Sequence, residues 1–372
     1  MLERVPITRV YDATALDRLN WPVWAAVTPL ARDLTVHAGK GTSHRAARCS
    51  AVMEAIERVS AEDVPGERVR RSSFLRLRGR EPVLDPGLCG LPYRTAYAPD
   101  RECSWVQAED LMGGPPVWVA LDLVLSPARE GVCLGPETNG LASGNVRAEA
   151  LLHALYEVIE RDAAAHERFG RRHGAALAQR LIDPASLPTR AAARLAALER
   201  AGVSLRVREL THDLGVPVFG ATLEDRGFPG CEGASTTFSG FGADLDAELA
   251  LIRAVAEAVQ AHTAVLVGAR ESFEDGSLAA GSTSNLVAWL AAGADTHPFV
   301  PTPAGEVPGD LGMRLELVLE RLWGVGLRRC LAIELTRPDL GIPVFRVLVP
   351  GAAGPYGETA RRPPLRLLRA LV

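Results

Sequence analysis

Lysine is all but absent. Of the 41 basic residues among 372, Lys40 is the single lysine and every other cation is arginine. Such a bias leaves a lysine chiefly where a compact, mobile ammonium does something a planar guanidinium cannot. Lys40 therefore stands out as a binding or catalytic residue, against the bland alternative of a stray lysine. Cysteine is sparse and scattered: Cys49, Cys89, Cys103, Cys133, Cys231 and Cys330 form no C-x-x-C pair. That argues against a zinc ribbon or a dense disulfide scaffold and leaves reduced, mostly buried thiols. An excess of positive charge is also missing, the net being −4, so nucleic acid is an unsuitable partner. The N-terminus lacks the basic and apolar regions of a secretory signal. The longest uncharged run, 276–294, carries Ser277, Ser282, Thr283, Ser284 and Asn285, too many polar groups for a membrane span. These absences describe a soluble, cytoplasmic protein. A P-loop is missing too, because Leu34 and Gly41 stand where a Walker A motif needs glycine and a hydroxyl residue.

What is present suffices for a sizeable core, with 47% hydrophobic and 23% charged residues. Apolar spacing predicts a helix over about 43–62, a second from the glycine-rich loop at 137–145 to about 167, and others over 186–201 and 244–266. Residues 104–106, 116–120, 203–208, 216–223 and 343–349 read as strands. Gly39-Lys40-Gly41 reads as a glycine-flanked turn ahead of a helix, where backbone N–H groups can approach an anion. No low-complexity linker forces a cut. The fold class expected is α/β (α+β), one domain over 1–372 with mixed or largely antiparallel sheet.

The two long helices carry the chemistry. At 100° per residue Ser50, Glu54 and Glu57 share an arc of about 60°, with Arg58 beside them and the apolar stripe opposite. On the second helix Glu149, Glu157 and Glu160 share an arc of about 80°, with Arg161 flanking. Each set alone could be a solvated charged face. However, Glu54, Glu57 and Arg58 recur as Glu157, Glu160 and Arg161, each time behind a glycine-containing loop. Like charges at that spacing repel when exposed, which a purely structural face would avoid. Aligned carboxylates instead suit a hard cation such as Mg²⁺, and arginines beside them suit a triphosphate, with ATP the natural guess. A di-iron bundle would need Glu-x-x-His pairs, which His153 and His166 do not complete. On a third helix Arg253, Glu257 and Gln260 share a face, either as an intrahelical ion pair or as part of the same site. Arg270 just beyond it could add a phosphate contact.

Taken together these residues resemble the YcaO family. Ser50, Glu54, Glu57 and Arg58 are similar to its S-x-x-x-E-x-x-E-R motif. Asn139 through Asn145, Glu149, Glu157, Glu160 and Arg161 resemble its second motif, and the region from Glu257 to Gln260 its third. The resemblance implies a YcaO-type fold whose acidic helices surround an ATP site, with the nucleotide-binding core at about 36–350. It also implies phosphoryl transfer to a peptide backbone amide oxygen. It assigns Glu54, Glu57, Glu149, Glu157 and Glu160 to Mg²⁺ and nucleotide. Lys40, Ser50, Arg58, Ser143, Asn145, Arg161, Gln260 and Arg270 would contact nucleotide or its phosphates, with Lys40, Arg58 and Arg161 catalytic. Two departures are visible: Ala261-His262 follow Gln260 where the family often has a small residue and then arginine, and the C-terminus lacks the proline-rich ending of many azoline-forming members. The N-terminal stretch from Thr8 to Trp24 resembles stand-alone members that work with a TfuA-type partner protein. The expected product is therefore a thioamide in a ribosomally made precursor peptide. An azoline, a macroamidine or a non-catalytic peptide-binding scaffold are the alternatives, and the family resemblance allows a homodimer.

Overall fold

The computed structural model describes residues 4–65, 68–133, 138–173, 180–228, 236–268, 295–354 and 361–369. The uncharged run at 276–294 and Arg270 lie outside them. The chain opens with a three-stranded antiparallel sheet of β1 (Arg9–Asp12), β2 (Val23–Val27) and β3 (Val36–Lys40), and α1 (His44–Ser60) follows it directly. A six-stranded antiparallel sheet runs in the order β4 (Val69–Ser72), β5 (Cys103–Asp110), β13 (Leu331–Glu334), β14 (Val344–Leu348) and β7 (Leu141–Ser143), with β6 (Val117–Ala120) paired to β5. The third sheet has the order β11 (Thr237–Ala243), β10 (Val218–Glu224), β9 (Ser204–Glu209), β8 (Leu181–Ile182) and β12 (Thr296–His297), and only its β8–β12 pair is parallel. The mixed, largely antiparallel α/β class read from the sequence is the class observed.

Helices α2 (Phe74–Leu77), α3 (Arg147–Arg172), α4 (Thr189–Arg200), α5 (Ala247–Leu266), α6 (Leu311–Gly324) and α7 (Leu365–Arg369) complete the described α-helices. The four helices expected from periodicity are α1, α3, α4 and α5, each within a few residues of the expected limits except α3, which runs about a turn longer. α6 and strands β11 and β13 were not anticipated. α5 is long and apolar enough to cross a membrane, yet most of it is buried against β10, β11 and the N-terminal sheet, as a core helix.

One expectation is corrected. Lys40 ends a strand instead of lying in a turn, paired across to Val23. Gly39 is small for packing: a Cβ there would lie 2.0 Å from the Ala51 backbone nitrogen in α1. The same device recurs where β7 runs into α3, since a Cβ on Gly144 would come within 2.4 Å of the Ala150 nitrogen. Bare backbone lets each helix lie directly on the strand that precedes it. β11 leads into α5 in the same order, so three strand-then-helix units are repeated around one region.

Candidate functional site

That region is where α1, α3 and α5 face one another, each bringing the carboxylates of its inward stripe. Ser43 caps α1 by accepting from the Ala46 N–H at 3.2 Å, and Asp246 caps α5 by accepting from Glu248 and Leu249. α3 begins differently: Glu149 reaches back to accept from the Asn145 backbone N–H at 2.8 Å and from its side-chain amide at 2.9 Å.

On α1, Glu54 accepts from Arg58 Nε at 3.0 Å, and Arg58 also donates to Asp33 at 2.6 Å. Burial opposes the charge on Glu54, but Arg58 holds its carboxyl below the ordinary range. Glu57 accepts from the Ser143 N–H at 2.9 Å and its hydroxyl at 2.6 Å, tying α1 to the end of β7. Burial, together with the neighbouring charges of Glu54 and Glu157, raises the Glu57 carboxyl well above the usual value.

On α3, burial pushes Glu157 and Glu160 up to about 7 each, with Glu160 and Glu54 adding repulsion at Glu157 and Glu257 at Glu160. Glu160 is only 5% exposed. Arg161 lies 3.5 Å from Glu160 and 3.7 Å from Glu257, and Lys40 donates to the other oxygen of Glu257 at 2.7 Å. Burial works against the charge on Glu257, but Lys40 and Arg161 overcome it and hold the carboxyl low. Gln260 donates to the Ala38 carbonyl at 2.5 Å, which anchors α5 to the strand that carries Lys40.

The structure thus brings Lys40, Glu54, Glu57, Arg58, Ser143, Glu157, Glu160 and Arg161 into one electrostatic neighbourhood. Ser50 is half-buried one turn before Glu54. Glu149 has Asn145 and the nearby His153 as its partners. Gln260 acts on backbone. Glu257 belongs to the cluster as fully as the glutamates singled out for metal, and its position beside Gln260 on one helix face was the available signal.

Two further groups were missed. Asp33 supports Arg58 from a loop, where sequence offers no periodicity to read. Arg346 is 1% exposed within β14 and donates to the carbonyls of Val124 at 3.0 Å and Asn139 at 2.9 Å. Burial lowers its guanidinium to about 10 while the Glu157 charge works against that lowering. An arginine between Phe345 and Val347 in an otherwise apolar strand is its visible trace.

Hard oxygen donors gathered from three helices, several held up in pKa by mutual repulsion and burial, are a set that a divalent cation stabilises. Among the described residues no three acidic, histidine or cysteine groups converge closely enough to enclose a metal by themselves. Mg²⁺ keeps waters and takes phosphate oxygens to fill its shell, so carboxylates beside a triphosphate are donors of the kind it uses. The carboxylates must also lose their protons to bind it. Apparent Mg²⁺ affinity is therefore expected to rise severalfold between about pH 6 and 8, through the titration of Glu157 and Glu160 near 7. Titration of Mg²⁺ against nucleotide turnover at fixed ATP would show this, and a flat profile would contradict it.

Comparison with known proteins agrees with this chemistry. Residues 38–353 match the family described as YcaO cyclodehydratase, ATP- and Mg²⁺-binding. An uncharacterized protein of Methanothermobacter thermautotrophicus is 34% identical over 365 residues, spanning 94% of this chain and 90% of that one. A protein of Rhizobium leguminosarum bv. trifolii, named only as lying in the tfuA 3′ region, is 31% identical over 358 residues, with 93% and 83% covered. YcaO from Methanopyrus kandleri, solved bound with AMPPCP and Mg²⁺, superimposes with a TM-score of 0.75 at 26% identity, over 98% of this chain and 91% of that one. A heterocyclase solved with substrate and cofactor shares the fold, with a TM-score of 0.76 at 21% identity, and this chain spans 95% of its own length but 51% of the heterocyclase. The chain belongs to the YcaO family of ATP- and Mg²⁺-dependent peptide-modifying enzymes.

Proposed function

We propose that this enzyme phosphorylates peptide backbone amide oxygens and that the activated carbonyl is taken by sulfide, giving a thioamide with the help of a TfuA-type partner protein. The observation that supports the first step is the alternation of carboxylates with Lys40, Arg58 and Arg161 where α1, α3 and α5 meet. Bound Mg²⁺ would neutralise triphosphate charge and align the γ-phosphoryl group. Glu54, Glu57, Glu149, Glu157 and Glu160 are the residues to hold it, with Asn145, bonded to Glu149, contacting the nucleotide. Ser50 and Ser143 would meet nucleotide oxygens, Gln260 keeps β3 in place, and Lys40, Arg58 and Arg161 would stabilise charge on the transferring group. Arg270 is carried in this reading as a further phosphate contact.

The balance is simple. The amide oxygen forms a bond to phosphorus and ADP departs; sulfide then adds at the carbonyl carbon and phosphate leaves with the original oxygen. The product therefore depends on the nucleophile, which this chain does not supply. The relative from the tfuA region supports sulfide. The peptide-modifying unit in this reading is the whole chain, with its nucleotide core at about 36–350, acting in the cytoplasm and compatible with a homodimer. A scaffold without catalysis would have no use for these carboxylates, and all five glutamates are in place.

The deciding experiment is intact mass of a precursor peptide from a neighbouring reading frame after incubation with the protein, ATP, Mg²⁺, sulfide and a TfuA-type partner. A gain of about 16 Da per site is expected for exchange of oxygen by sulfur after amide phosphorylation. A loss of about 18 Da would overturn sulfide as nucleophile and indicate an azoline or a macroamidine by the same activation. Lys40→Arg tests the cation closest to Glu257. A planar guanidinium cannot reproduce a point ammonium 2.7 Å from that carboxylate, so turnover should fall about tenfold or more, read as kcat/KM for ATP. Unchanged kinetics would return Lys40 to an ordinary surface role.

A further inference from the structure

A cleft of about 440 Å³ is lined by one face of α1 and by the β7–α3 junction. Its floor is apolar, made by Val52, Met53 and Ile56 of α1 together with Ile342 and Pro343. Its rim is basic, with Arg45 and Arg48 on the first turns of α1. Both arginines are exposed, and neither has a carboxylate partner within 4.0 Å among the described residues, although most guanidiniums around the site are paired. Arg48 rests over the Trp24 ring, 5.6 Å from its centroid, which holds the guanidinium in place without neutralising it. Cys49, Gly144, Asn145 and Gly341 complete the lining. Asn145 contacts Glu149, and the residue before Gly144 is Ser143, which Glu57 holds. The cleft and the nucleotide site therefore share one stretch of backbone.

Resting on the amide-phosphorylation reading, we infer that this cleft receives the substrate peptide, as an extended segment with an apolar side chain on the floor and an acidic side chain against Arg45 and Arg48. An apolar trough with a few placed charges is the usual form of a specific binding groove, and unpaired arginines select carboxylates over neutral chains. Phosphate neutralisation has its own cations in Lys40, Arg58 and Arg161, which leaves the rim arginines for the peptide. Chain laid in the cleft runs past Gly144 and Asn145, so it lies beside the backbone stretch that Glu57 holds at Ser143.

The test reads binding without chemistry, so it stands whether or not the product is a thioamide. The probes are two fluorescein-labelled decapeptides of identical apolar residues, one with glutamates and one with lysines at the flanks, measured by anisotropy in the presence of AMPPCP and Mg²⁺. The acidic peptide should bind at least tenfold more tightly than the basic one. Arg45→Glu with Arg48→Glu should reverse that order while leaving AMPPCP affinity unchanged. Cys49 lies in the cleft wall and is exposed, so alkylating it with N-ethylmaleimide should block the acidic peptide by bulk alone, and Cys49→Ser should resist that treatment. Equal binding of both peptides, or an unchanged preference after charge reversal, overturns the inference. So does a loss of AMPPCP affinity in the reversed variant, which would make the cleft part of the nucleotide site.

Discussion

Glu160→Gln should reduce Mg²⁺-dependent ATP turnover by at least about a hundredfold, the scale seen when one charged group of a preorganised phosphoryl-transfer site is lost. The residue is 5% exposed and already sits between Arg161 and the like charge of Glu257. Burial is the main reason its carboxyl titrates near 7, so the group resists ionising until a cation arrives. Glutamine keeps the shape and one carbonyl oxygen but can never supply the charge. The same substitution should leave the empty fold intact or slightly more stable. A carboxyl whose folded pKa exceeds its unfolded value of 4.5 binds more protons in the folded state. Its contribution is full below 4.5 and is lost as pH rises toward 7, where ionisation in the cluster becomes a cost. Melting without metal should accordingly show wild type losing stability over that window, and Glu160→Gln losing less. Glu57→Gln is the companion, because its amide oxygen can still accept from Ser143 while the charge near Glu54 and Glu157 disappears. If both variants turn over ATP as wild type does, the cluster is not the Mg²⁺ site.

Much of this site was legible because helix periodicity is local. The stripes on α1 and α3 follow from 3.6 residues per turn, and the repeat of two glutamates and an arginine drew attention to faces that a single helix would not have distinguished. Gly39-Lys40-Gly41 was misread because a glycine that admits a neighbouring helix leaves the same trace as a glycine that turns the chain. Only the contact with Ala51 separates the two readings. The opposing sides of the site were invisible for a related reason. Lys40 and Glu257 are 217 positions apart and Arg346 meets Asn139 across 207, and no spacing rule reaches that far. Sheet order has the same origin, since β5 pairs with β13 and β14 with β7 through partners remote in sequence. β11 escaped notice because Gly240 and Gly242 dilute its alternation, although those glycines are what let α5 lie on it.

The second large effect belongs to a residue with no place among the phosphate contacts. His262 stands where the resemblance leads one to expect arginine, two residues beyond Gln260, and it is completely buried. Its Nδ1 lies 2.8 Å from Asp17 and its Nε2 2.9 Å from Asp225, so both nitrogens face carboxylate oxygens and both must donate. That requires an imidazolium. Asp17 also accepts from the Thr263 hydroxyl at 2.8 Å and the Leu19 N–H at 3.0 Å, while Asp225 accepts from Arg18 at 2.6 Å and the Gly227 N–H at 2.9 Å. Two carboxylates, one imidazolium and one guanidinium leave the cluster neutral, and Phe228 and Phe238 close it edge-on. Burial works against the histidine's charge, but the two aspartates outweigh it and raise the pKa above 6.5. A raised pKa means that the stabilisation is complete below pH 6.5 and fades as pH climbs through the folded value. His262→Ala removes the shared partner and leaves two buried carboxylates facing each other. The expected cost is about 3–5 kcal/mol, measured by urea unfolding at pH 6, and it should shrink toward the alkaline side. His262→Arg should recover part of the loss at every pH, because a guanidinium stays charged where an imidazolium does not. The consequence reaches the nucleotide site through geometry. Asp17 belongs to the N-terminal segment that leads into β2 and β3, and His262 lies on α5 beyond Glu257 and Gln260. Loosening that clamp should therefore weaken the Lys40–Glu257 contact and lower kcat before the protein unfolds. A variant as stable as wild type at pH 6 would show instead that the histidine is neutral and that the N-terminal sheet is held by its apolar packing alone.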